Sequence, residues 1–507
     1  MTSAELGASQ GGLSGVLKRG MGYSAIGVVV CQIVVIVQTI VLGRLLGPQE
    51  VGVFTAGSVL TGFLLLFAQS TLAQALIQRE DDIEDAANTV LVVTFVTGLL
   101  LGIGVLAASP LIGNLFHNAR AGQISAASSG LMLLYLCVSV PEALMQRAFR
   151  FKQRMIVQPA AKIAFAGVSI LFAVLGYGAW AMVVGSYASI TTLLVLSWWL
   201  AKWRPFRGRF SVRIWREMAV FSLPLLLDNM AYSIRDTFQQ VLLGRRLGTA
   251  DLGQYRYGYQ MAGMPAMAIV EIFGYVLFPA FARISANSTR FRDAFLRALG
   301  WTWFAALPIG ALLVLVGQPV AVLLLGDEWR PAGTAAMAMA GIAVGAALQA
   351  LGVTAIKGAG RSSLVNWLSA LGLGLHLPLI VLLLPFGLVG VGIGLSLTFL
   401  VCGIVSVLLA RAVVNASFRD VVACLAPSTL SASVAFAVVF PLEHLIIRSD
   451  QYFEPLGLAS VVGDCLLFTV VYIGVLRLVS PTRYRSVRGF AEQAAMTLVA
   501  SLNGRRK

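Results

Sequence analysis

Charged side chains are scarce in this sequence: only 12% of its 507 residues are Asp, Glu, Lys or Arg, whereas an ordinary soluble domain has about 25%. Hydrophobic residues make up 58% of the chain, and the mean hydropathy is +0.86. This length would suggest about three soluble domains, but so few polar side chains cannot cover their water-facing surfaces. The scarcity of charge therefore excludes a soluble multidomain enzyme, and most apolar side chains are expected to face lipid.

Residue patterns of the common enzyme classes are absent as well. The five cysteines lie in apolar stretches without a CxxC pair, so they are interpreted as core packing and not as metal ligands. No GxxxxGK[ST], HExxH or GxSxG motif occurs, and the three histidines are widely scattered, so no ATP site, zinc-protease site or serine-hydrolase site is indicated. We expect no cofactor, no bound metal and no catalytic residue, and the protein is predicted not to be an enzyme.

Long apolar runs are present instead. A membrane-crossing helix needs about 20 mainly apolar residues. Fourteen stretches meet this requirement, namely 21–42, 52–76, 87–110, 124–145, 157–175, 179–200, 219–243, 257–282, 299–325, 334–355, 364–385, 389–410, 421–442 and 456–478. The first run is too long for the core of a signal peptide and lacks a small-residue cleavage site, so it is predicted to be a membrane span. The predicted fold class is all-α, a polytopic membrane protein with about fourteen transmembrane helices.

Lysine and arginine are distributed unequally between the two sets of loops. Of the 37 basic residues, 28 lie on the set of loops that includes both termini, counting Arg477 at the end of the last span, 7 lie on the opposite set, and Lys162 and Arg235 lie within spans. Because loops rich in Lys and Arg stay in the cytoplasm, both termini are predicted to be cytoplasmic. The net charge of +15 then reflects topology and contact with anionic lipid, and no nucleic-acid partner is expected. In the tail, one helical face carries the apolar residues typical of a membrane-surface anchor, Val487, Phe490, Ala494 and Leu498.

One sequence element occurs twice. Residues 42–52 read LGRLLGPQEVG and residues 243–253 read LGRRLGTADLG, with six of eleven positions identical. These segments, called turn one and turn two below, each follow the first span of a six-span block. An even number of spans in each block makes the repeats parallel, an arrangement found in transporters. An interfacial turn whose arginines Arg44 and Arg245 bind lipid headgroups would also explain the motif.

The repeat and the loop charges together predict how the chain is organised. The predicted order is a cytoplasmic N-terminus (1–20), an N-lobe of spans one to six (21–200), a basic cytoplasmic linker (201–218), a C-lobe of spans seven to twelve (219–410), two further spans (411–478) and a basic amphipathic cytoplasmic tail (479–507). The substrate path is expected to run between the two lobes.

Polar side chains are concentrated in spans seven and eight. In span seven, Asp228, Tyr232, Arg235 and Gln239 recur at helical spacing, and Asn229, Ser233, Asp236 and Gln240 form the adjoining stripe. Three charges facing lipid would cost roughly 8 to 10 kcal/mol, at about 3 kcal/mol each. This face is therefore predicted to line protein or water. Span eight continues the pattern, with Arg256, Gln260, Gly263, Met267 and Glu271 on one face.

A cavity that contains arginine favours an anionic cargo, because a pyrophosphate cannot enter a low-dielectric lumen unless cations replace its hydration. Span one contains Gln32, Gln38 and Thr39 but no acidic residue that would hold a cationic substrate. The predicted cavity residues are Arg235, Arg256, Asp228, Asp236, Gln239, Gln260, Tyr232 and Lys162. Asp228, Asp236 and Glu271 are expected to balance the arginines or to couple transport to an ion.

Two features of this region have alternative explanations. Lys162 either lines the cavity or extends its ammonium group to water from the end of span five. Tyr255, Tyr257 and Tyr259 suit either contact with a sugar-phosphate ligand or the aromatic belt at the membrane surface.

Several short motifs, in their order and spacing, resemble a known family. They are the two LGRxxG turns, followed by Phe54 and Tyr255, the hairpin Gly176–Ala181, the loop Gly326–Trp329, and Gly358–Arg361 before span eleven. This pattern resembles the polysaccharide or O-antigen (Wzx-type) flippases of the multidrug, oligosaccharidyl-lipid and polysaccharide exporter superfamily, over nearly the whole chain. The assignment of Arg235, Asp236 and Arg256 rests on the helical faces alone, because cavity residues vary within this family.

The resemblance implies a two-lobed, fourteen-helix transporter of the MATE-like fold in the bacterial cytoplasmic membrane. Spans one, two, seven and eight would line a cavity that opens alternately to each side, and the cargo would be a polyprenyl-pyrophosphate-linked oligosaccharide for cell-surface polysaccharide biosynthesis. Membrane lipids, and polysaccharide polymerase or glycosyltransferase machinery, are the expected partners. Two other functions are compatible with the sequence, an ion-coupled multidrug antiporter of the same fold and a membrane glycosyltransferase or polymerase.

Overall fold

The computed structural model describes residues 3–68, 71–79, 81–148, 151–205, 207–285, 287–361 and 363–489, together with Glu492 and Met496. All regular structure in these residues is helical. The helices are α1 (Ser3–Ala68), α2 (Thr71–Gln78), α3 (Ile83–Leu115), α4 (Ala119–Arg147), α5 (Phe151–Val174), α6 (Ala179–Ala201), α7 (Val212–Arg246), α8 (Thr249–Ile284), α9 (Ser288–Leu325), α10 (Arg330–Ala338), α11 (Gly341–Gly358), α12 (Ser363–Leu383), α13 (Gly387–Val413), α14 (Phe418–Pro441) and α15 (Glu454–Val479). A further tail helix covers 481–489.

The predicted all-α membrane fold is confirmed. Within the described residues, ten helical stretches are long and apolar enough to cross a membrane. Four of them contain a break: at Gly47 in α1, at 339–340 between α10 and α11, at Leu384–Phe386 between α12 and α13, and at Arg448 after α14. The polar helices α7 and α8 are not among the ten. The total of fourteen spans remains a prediction.

Large apolar side chains cover much of the outer surface of the helices. Leu100 and Leu111 of α3 are 63% and 67% exposed, and Val470 of α15 is 68% exposed. In water, such continuous apolar surface would promote association, but in a bilayer it meets lipid chains of the same polarity. These helices are therefore those of a multi-pass membrane protein.

The chain divides into two compact units, residues 1–256 and residues 257–507. The first unit has two distinct ends. One of them is called the turn end, because turn one lies there beside the starts of α4 and α6. Glu50 of turn one is bonded to Arg120 of α4 and to the backbone of Ala179 of α6. Gly244 of turn two packs against Phe116 at the end of α3. Loops that follow the odd-numbered predicted spans therefore meet at this end.

The other end of the first unit, called the linker end, contains the basic linker. Asn88 of α3 donates to the backbone oxygen of Gly208 at 2.5 Å, and the backbone N–H of Arg209 donates to Asp85 at 2.8 Å. A side chain at position 208 would overlap the backbone oxygen of Glu84, so glycine is required where the linker crosses the start of α3. Loops therefore alternate between the two ends, as the predicted spans require.

Two large apolar cores lie in the second unit among the described residues. One packs the end of α8 against α9, α11 and α13, with Phe281, Phe295 and Leu351 fully buried. The other packs α9 against α14 and α15 around Leu315 and Phe468. This second core attaches the last two long helices to the rest of the unit. In the predicted amphipathic tail, Val487 lies on the tail helix, while Phe490, Ala494 and Leu498 lie outside the described residues. The predicted lobe boundaries remain predictions.

Candidate functional site: the repeat turns and the polar helices

Turn one and turn two share an unusual backbone position. The sixth residue of each copy is a glycine with positive φ, 67° at Gly47 and 104° at Gly248. Residues with a Cβ rarely adopt this conformation. Pro48 follows Gly47 and starts the next helical segment, a position where its missing N–H costs nothing. Each copy therefore ends one helix and begins another by the same local chemistry.

The two turns contact each other through their backbones. A Cβ atom on Gly52 would stand 1.7 Å from the carbonyl oxygen of Thr249, and a Cβ atom on Gly253 would stand 2.1 Å from the carbonyl oxygen of Pro48. Gly52 and Gly253 occupy the eleventh position of the repeat, while Pro48 and Thr249 occupy the seventh. The contact is therefore reciprocal, with each copy presenting the same glycine to the same carbonyl of the other.

This reciprocal contact holds the turn end together at backbone distance. No side chain fits between the two segments, because even a methyl group would overlap an oxygen atom. Close backbone approach of this kind allows weak Cα–H···O contacts of about 0.5–1 kcal/mol each. One direct hydrogen bond adds to them, from Gln49 Nε2 to Thr249 Oγ1 at 3.1 Å. The turn end is therefore closed by a few contacts that are individually weak.

Turn one is also attached to its own half of the molecule by a carboxylate. Arg120 donates from Nη1 and Nη2 to the two Glu50 oxygens at 2.7 and 2.6 Å, and the N–H of Ala179 donates to Glu50 Oε2 at 2.7 Å. A bidentate guanidinium and a helix N-terminus both favour a negative charge at this position. Gly178, just before α6, leaves the room that this carboxylate occupies. Glu50 therefore joins turn one, α4 and α6.

Arg256 lies at the start of α8 and faces α1. Its Nη1 donates to Thr55 Oγ1 at 3.3 Å, and its guanidinium carbon lies 5.3 Å from the centroid of the Phe54 ring. Thr55 also donates to the backbone oxygen of Val51 at 2.7 Å. The hydrogen bond to Thr55 is long and involves a neutral partner, so it is weaker than the charge-assisted bond that an anion would offer. This arrangement leaves Arg256 suited to exchange Thr55 for an anionic oxygen.

The polar face of α7 is partly occupied by bonds inside the protein. Gln239 is only 2% exposed, and its Nε2 donates to the hydroxyl of Tyr255. Asp236 accepts from Gln240 Nε2 at 2.7 Å, one helical turn further along. Gln239 therefore fastens α7 to the start of α8, whereas Arg235 and Asp236 are half-buried on the same stretch of helix.

The remaining predicted site residues are exposed, half-buried, or have side chains that the structure does not describe. Lys162 is exposed on α5, and Gln260 is half-buried on α8 in the second unit. The side chains of Asp228, Tyr232 and Glu271 lie outside the described part of the chain. No group of three His, Cys, Asp or Glu residues with metal-binding geometry occurs among the described residues.

Two of the three tyrosines, Tyr255 and Tyr257, are buried, which agrees with neither of the two explanations considered for them, and Tyr259 is half-buried. Tyr255 is 5% exposed and bonded to Gln239, while Tyr257 is stacked on Trp329 with ring centroids 4.2 Å apart. The aromatic belt would require exposure to the headgroup region, and sugar binding would require an open ring face. These two rings instead pack helices together.

Sequence reasoning did not assign Gly52, Gly253, Thr55 or Phe54 to the site. The glycines could have been found, because both copies of the repeat end on the same residue type and a duplicated glycine indicates a duplicated close approach. Thr55 and Phe54 lie 201 and 202 residues before Arg256 in the chain, and no local pattern connects them with it.

Residues 41–334 match the family described as "Polysaccharide biosynthesis protein". Among curated relatives, the chain is 22% identical over 289 residues to the succinoglycan biosynthesis transport protein ExoT of Rhizobium meliloti, covering 57% of this chain and 58% of that protein. It is 23% identical over 324 residues to the lipopolysaccharide biosynthesis protein WzxC of Escherichia coli, covering 61% and 63%. The chain thus matches about three-fifths of the length of these relatives.

Two solved structures have the same fold. The lipid II flippase MurJ in an inward closed conformation superposes with a TM-score of 0.72 at 12% identity, covering 92% of this chain and 99% of that one. An inward-facing multidrug resistance MATE family transporter superposes with a TM-score of 0.58 at 17% identity, covering 75% and 94%. At these identities the likeness concerns the fold.

The family match spans more than half of the chain and includes both turns, α7 and the part of α8 that contains Arg256. The chain belongs to the polysaccharide biosynthesis protein family.

Proposed function

We propose that this protein is a flippase that moves a polyprenyl-pyrophosphate-linked oligosaccharide across the bacterial cytoplasmic membrane by alternating access. Membership in a polysaccharide biosynthesis family supports a glycan cargo, and the many apolar helices support a membrane path. Relatives described as a succinoglycan transport protein and a lipopolysaccharide biosynthesis protein fit the same role. Both termini are placed in the cytoplasm, following the loop charges.

The observation that carries the proposal is the combination of arginines on α7 and α8 with a closed turn end beside them. Arg235 and Arg256 supply cations at membrane depth. A charged side chain there has a high free energy unless an anion or a protein contact compensates it. A diphosphate presents the geometry that guanidinium groups bind in bidentate fashion. A cationic drug would be repelled by the same groups, which disfavours the antiporter alternative.

In this mechanism the reciprocal glycine contact is the gate at the turn end. The gate is closed in the structure, because Gly52 and Gly253 lie against the opposing carbonyls. Opening requires turn two to leave turn one, which breaks Cα–H···O contacts and the Gln49–Thr249 bond. Arg256, only three residues beyond Gly253, would move with turn two and lose Thr55. Movement of the Arg256 guanidinium, which would bind the cargo, is thereby linked to opening of the gate.

The test is a flipping assay in sealed liposomes. The protein is reconstituted with a fluorescent polyprenyl-pyrophosphate oligosaccharide, and a membrane-impermeant quencher reports the fraction in the outer leaflet. Protein-dependent flipping is expected, and Arg235→Ala and Arg256→Ala should each reduce its rate by about tenfold or more, the loss expected from one charge-assisted contact. Arg216→Ala removes an exposed arginine from the start of the same helix α7, away from both turns, and serves as the matched control.

Wild-type rates in both Arg235→Ala and Arg256→Ala would refute the site assignment. Absence of flipping by the wild-type protein, with transport of a cationic dye instead, would favour the antiporter. Elongation of a polyprenyl-linked glycan in detergent, where no leaflets exist, would favour the glycosyltransferase or polymerase.

A further inference from the structure

We propose that the second unit contains a binding site for the phosphate of an anionic phospholipid, separate from the polar face of α7 and α8. The site is a cavity of about 300 Å³ between the first part of α9, the start of α14 and the tail helix. It is called the α9 pocket below. The lining residues used in the argument are Arg297, Gly300, Trp301, Phe304, Cys424 and Arg483.

Among the described residues that line it, the α9 pocket has two arginines and no carboxylate. The Nη1 atom of Arg483 is buried and has no hydrogen-bond partner within the described part of the chain. Arg297 is exposed and uses Nε to bond the backbone oxygen of Asp293 at 3.3 Å. The Asp293 carboxylate lies 3.7 Å from Arg292 and is not part of the pocket wall. A buried guanidinium N–H that lacks a partner is a rare feature, and an anionic oxygen in the pocket would satisfy it.

The fold makes room for the Arg483 guanidinium and fixes the helix that carries it. A Cβ atom on Gly300 would stand 3.1 Å from Cys424 Sγ and 3.5 Å from Arg483 Nη2, so glycine keeps this space open. On the tail helix, the Tyr484 ring lies under the Arg477 guanidinium at 5.7 Å. This contact joins the tail helix to the end of α15, and Arg483 faces α9 as a result.

One wall of the α9 pocket is apolar and reaches the outer surface of the helices. Trp301 is 40% exposed and meets Phe304 edge to face, with ring centroids 5.9 Å apart. Tryptophan is enriched at the level of lipid headgroups, where one part of the ring is wet and the other is apolar. The end of α15 at Val479, immediately before the tail helix, places the pocket at this level. The loop charges predict that this end is cytoplasmic.

Size and polarity favour a bilayer phospholipid over the glycan cargo. Pockets for small molecules begin at about 300 Å³, which suits a phosphate with its glycerol and first acyl carbons but not an oligosaccharide. Basic pockets between membrane helices on the cytoplasmic side are suited to anionic headgroups. The acyl chain would pass along Trp301 into the bilayer. A lipid held here would tie the tail helix to α9 and α14.

Native mass spectrometry of the full chain in detergent tests the proposal, with phosphatidylglycerol, phosphatidylcholine and undecaprenyl pyrophosphate as probes. The expected result is a phosphatidylglycerol site that phosphatidylcholine does not fill. Arg483→Gln should weaken it by about tenfold, the loss expected from one charge-assisted contact. The matched control is Arg485→Gln, which removes an exposed arginine from the same helix and should change affinity less than twofold. Gly300→Val fills the pocket without changing charge and should abolish the site.

Each alternative outcome overturns the proposal. Equal binding of phosphatidylcholine would show that charge is not recognised. Unchanged phosphatidylglycerol affinity in both Arg483→Gln and Gly300→Val would place the lipid elsewhere. Displacement of phosphatidylglycerol by equimolar undecaprenyl pyrophosphate, abolished by Gly300→Val, would assign the pocket to the carrier of the cargo. If Arg483→Gln fails to fold, the Gly300→Val measurement still tests the proposal.

Discussion

Two arginines stand at corresponding places in the two halves of the chain and have different partners. Arg120 is the second residue of α4 and binds Glu50 of turn one. Arg330 is the first residue of α10 and binds Asp327 at 2.8 Å and Asp450 at 2.6 Å. Asp450 lies in a short 3-10 helix, Ser449–Gln451, before α15, so the second arginine fastens the additional helices that the first half lacks.

This difference gives the two turns unequal attachments. Turn one is fixed to α4 and α6 through Glu50, whose three hydrogen bonds are all short and charge-assisted. The corresponding residue in turn two is Asp251, for which no ion pair occurs within the described residues. Turn two is held mainly by the glycine contact, the Gln49–Thr249 bond and the Phe116 packing. Turn two is thus the part that can be released, and turn one is the fixed part that receives it.

The largest effect is expected from a methyl group inside the glycine contact. Gly52→Ala places a Cβ 1.7 Å from the Thr249 oxygen, so turn two must move away from turn one. Overpacking of this kind costs about 1–3 kcal/mol, and a cost of about 1.4 kcal/mol, within that range, corresponds to a population change of about tenfold. Thr249 is 7% exposed, and a Thr249→Cys reporter should therefore react with a maleimide about tenfold faster in the Gly52→Ala background.

Gly62→Ala is the matched control, because Gly62 lies on the same helix and a Cβ there would meet nothing within 4 Å. The chain without Thr249→Cys gives the background from the native cysteines. Equal reaction rates of Thr249→Cys in the Gly52→Ala and Gly62→Ala backgrounds would show that the glycine contact does not hold the turns together.

A smaller effect is expected when the fixed attachment of turn one is removed. Arg120→Gln leaves Glu50 with the Ala179 N–H alone, and because both side chains are partly exposed the loss of stability should be about 1 kcal/mol. Thermal unfolding followed by tryptophan fluorescence measures this loss. Maleimide labelling of the Thr249→Cys reporter should also rise, since turn one becomes a less rigid support. A melting temperature and labelling rate equal to those of the parent would contradict the role given to Glu50.

Arg330→Gln tests the other side of the comparison and should have a more local effect. The variant frees Asp450, so hydrogen exchange of residues 448–453 should increase, with a global loss below about 1 kcal/mol. Labelling of the Thr249→Cys reporter should stay at the parent rate, because Arg330 fastens the segment before α15 and not a turn. Faster labelling in Arg330→Gln would show that the two arginines are equivalent and would remove the asymmetry.

The sequence allowed the helices and the repeat to be predicted because both depend on local chemistry. Apolar runs define helices that face lipid, and the glycines at 47 and 248 end helices in both copies. Pairing across the chain was not predictable in the same way. Glu50 and Arg120 are 70 residues apart, and their pairing depends on how α1 packs against α4.

The candidate site was predicted less completely than the fold, for the same reason. Helical periodicity placed Arg235, Gln239 and Arg256 on polar faces, but it does not say which of these side chains are already bonded inside the protein. Gln239 is buried and bonded to Tyr255, whereas Arg256 is half-buried and its bond to Thr55 is longer. The sequence offered no reason to treat Gln239 and Arg256 differently. Only tertiary packing shows that the Gln239 amide has a structural role, while Arg256 remains a candidate for binding the cargo.

The smallest effect is expected at the linker end, where an exposed carboxylate contrasts with Glu50 at the turn end. Hydrogen bonds from Arg213 and then Arg79 lower the pKa of Glu217 below its ordinary value. A carboxyl group with a lowered pKa stabilises the fold at pH values above its unfolded pKa, about 4.3, and this contribution is lost as the pH falls through the folded pKa. Wild-type protein should therefore lose its small excess of stability over Glu217→Gln only in strongly acidic solution. Melting temperatures of the two proteins, measured from pH 7 downward, should converge below about pH 4, and a difference that persists there would mean that the arginines do not hold the Glu217 charge.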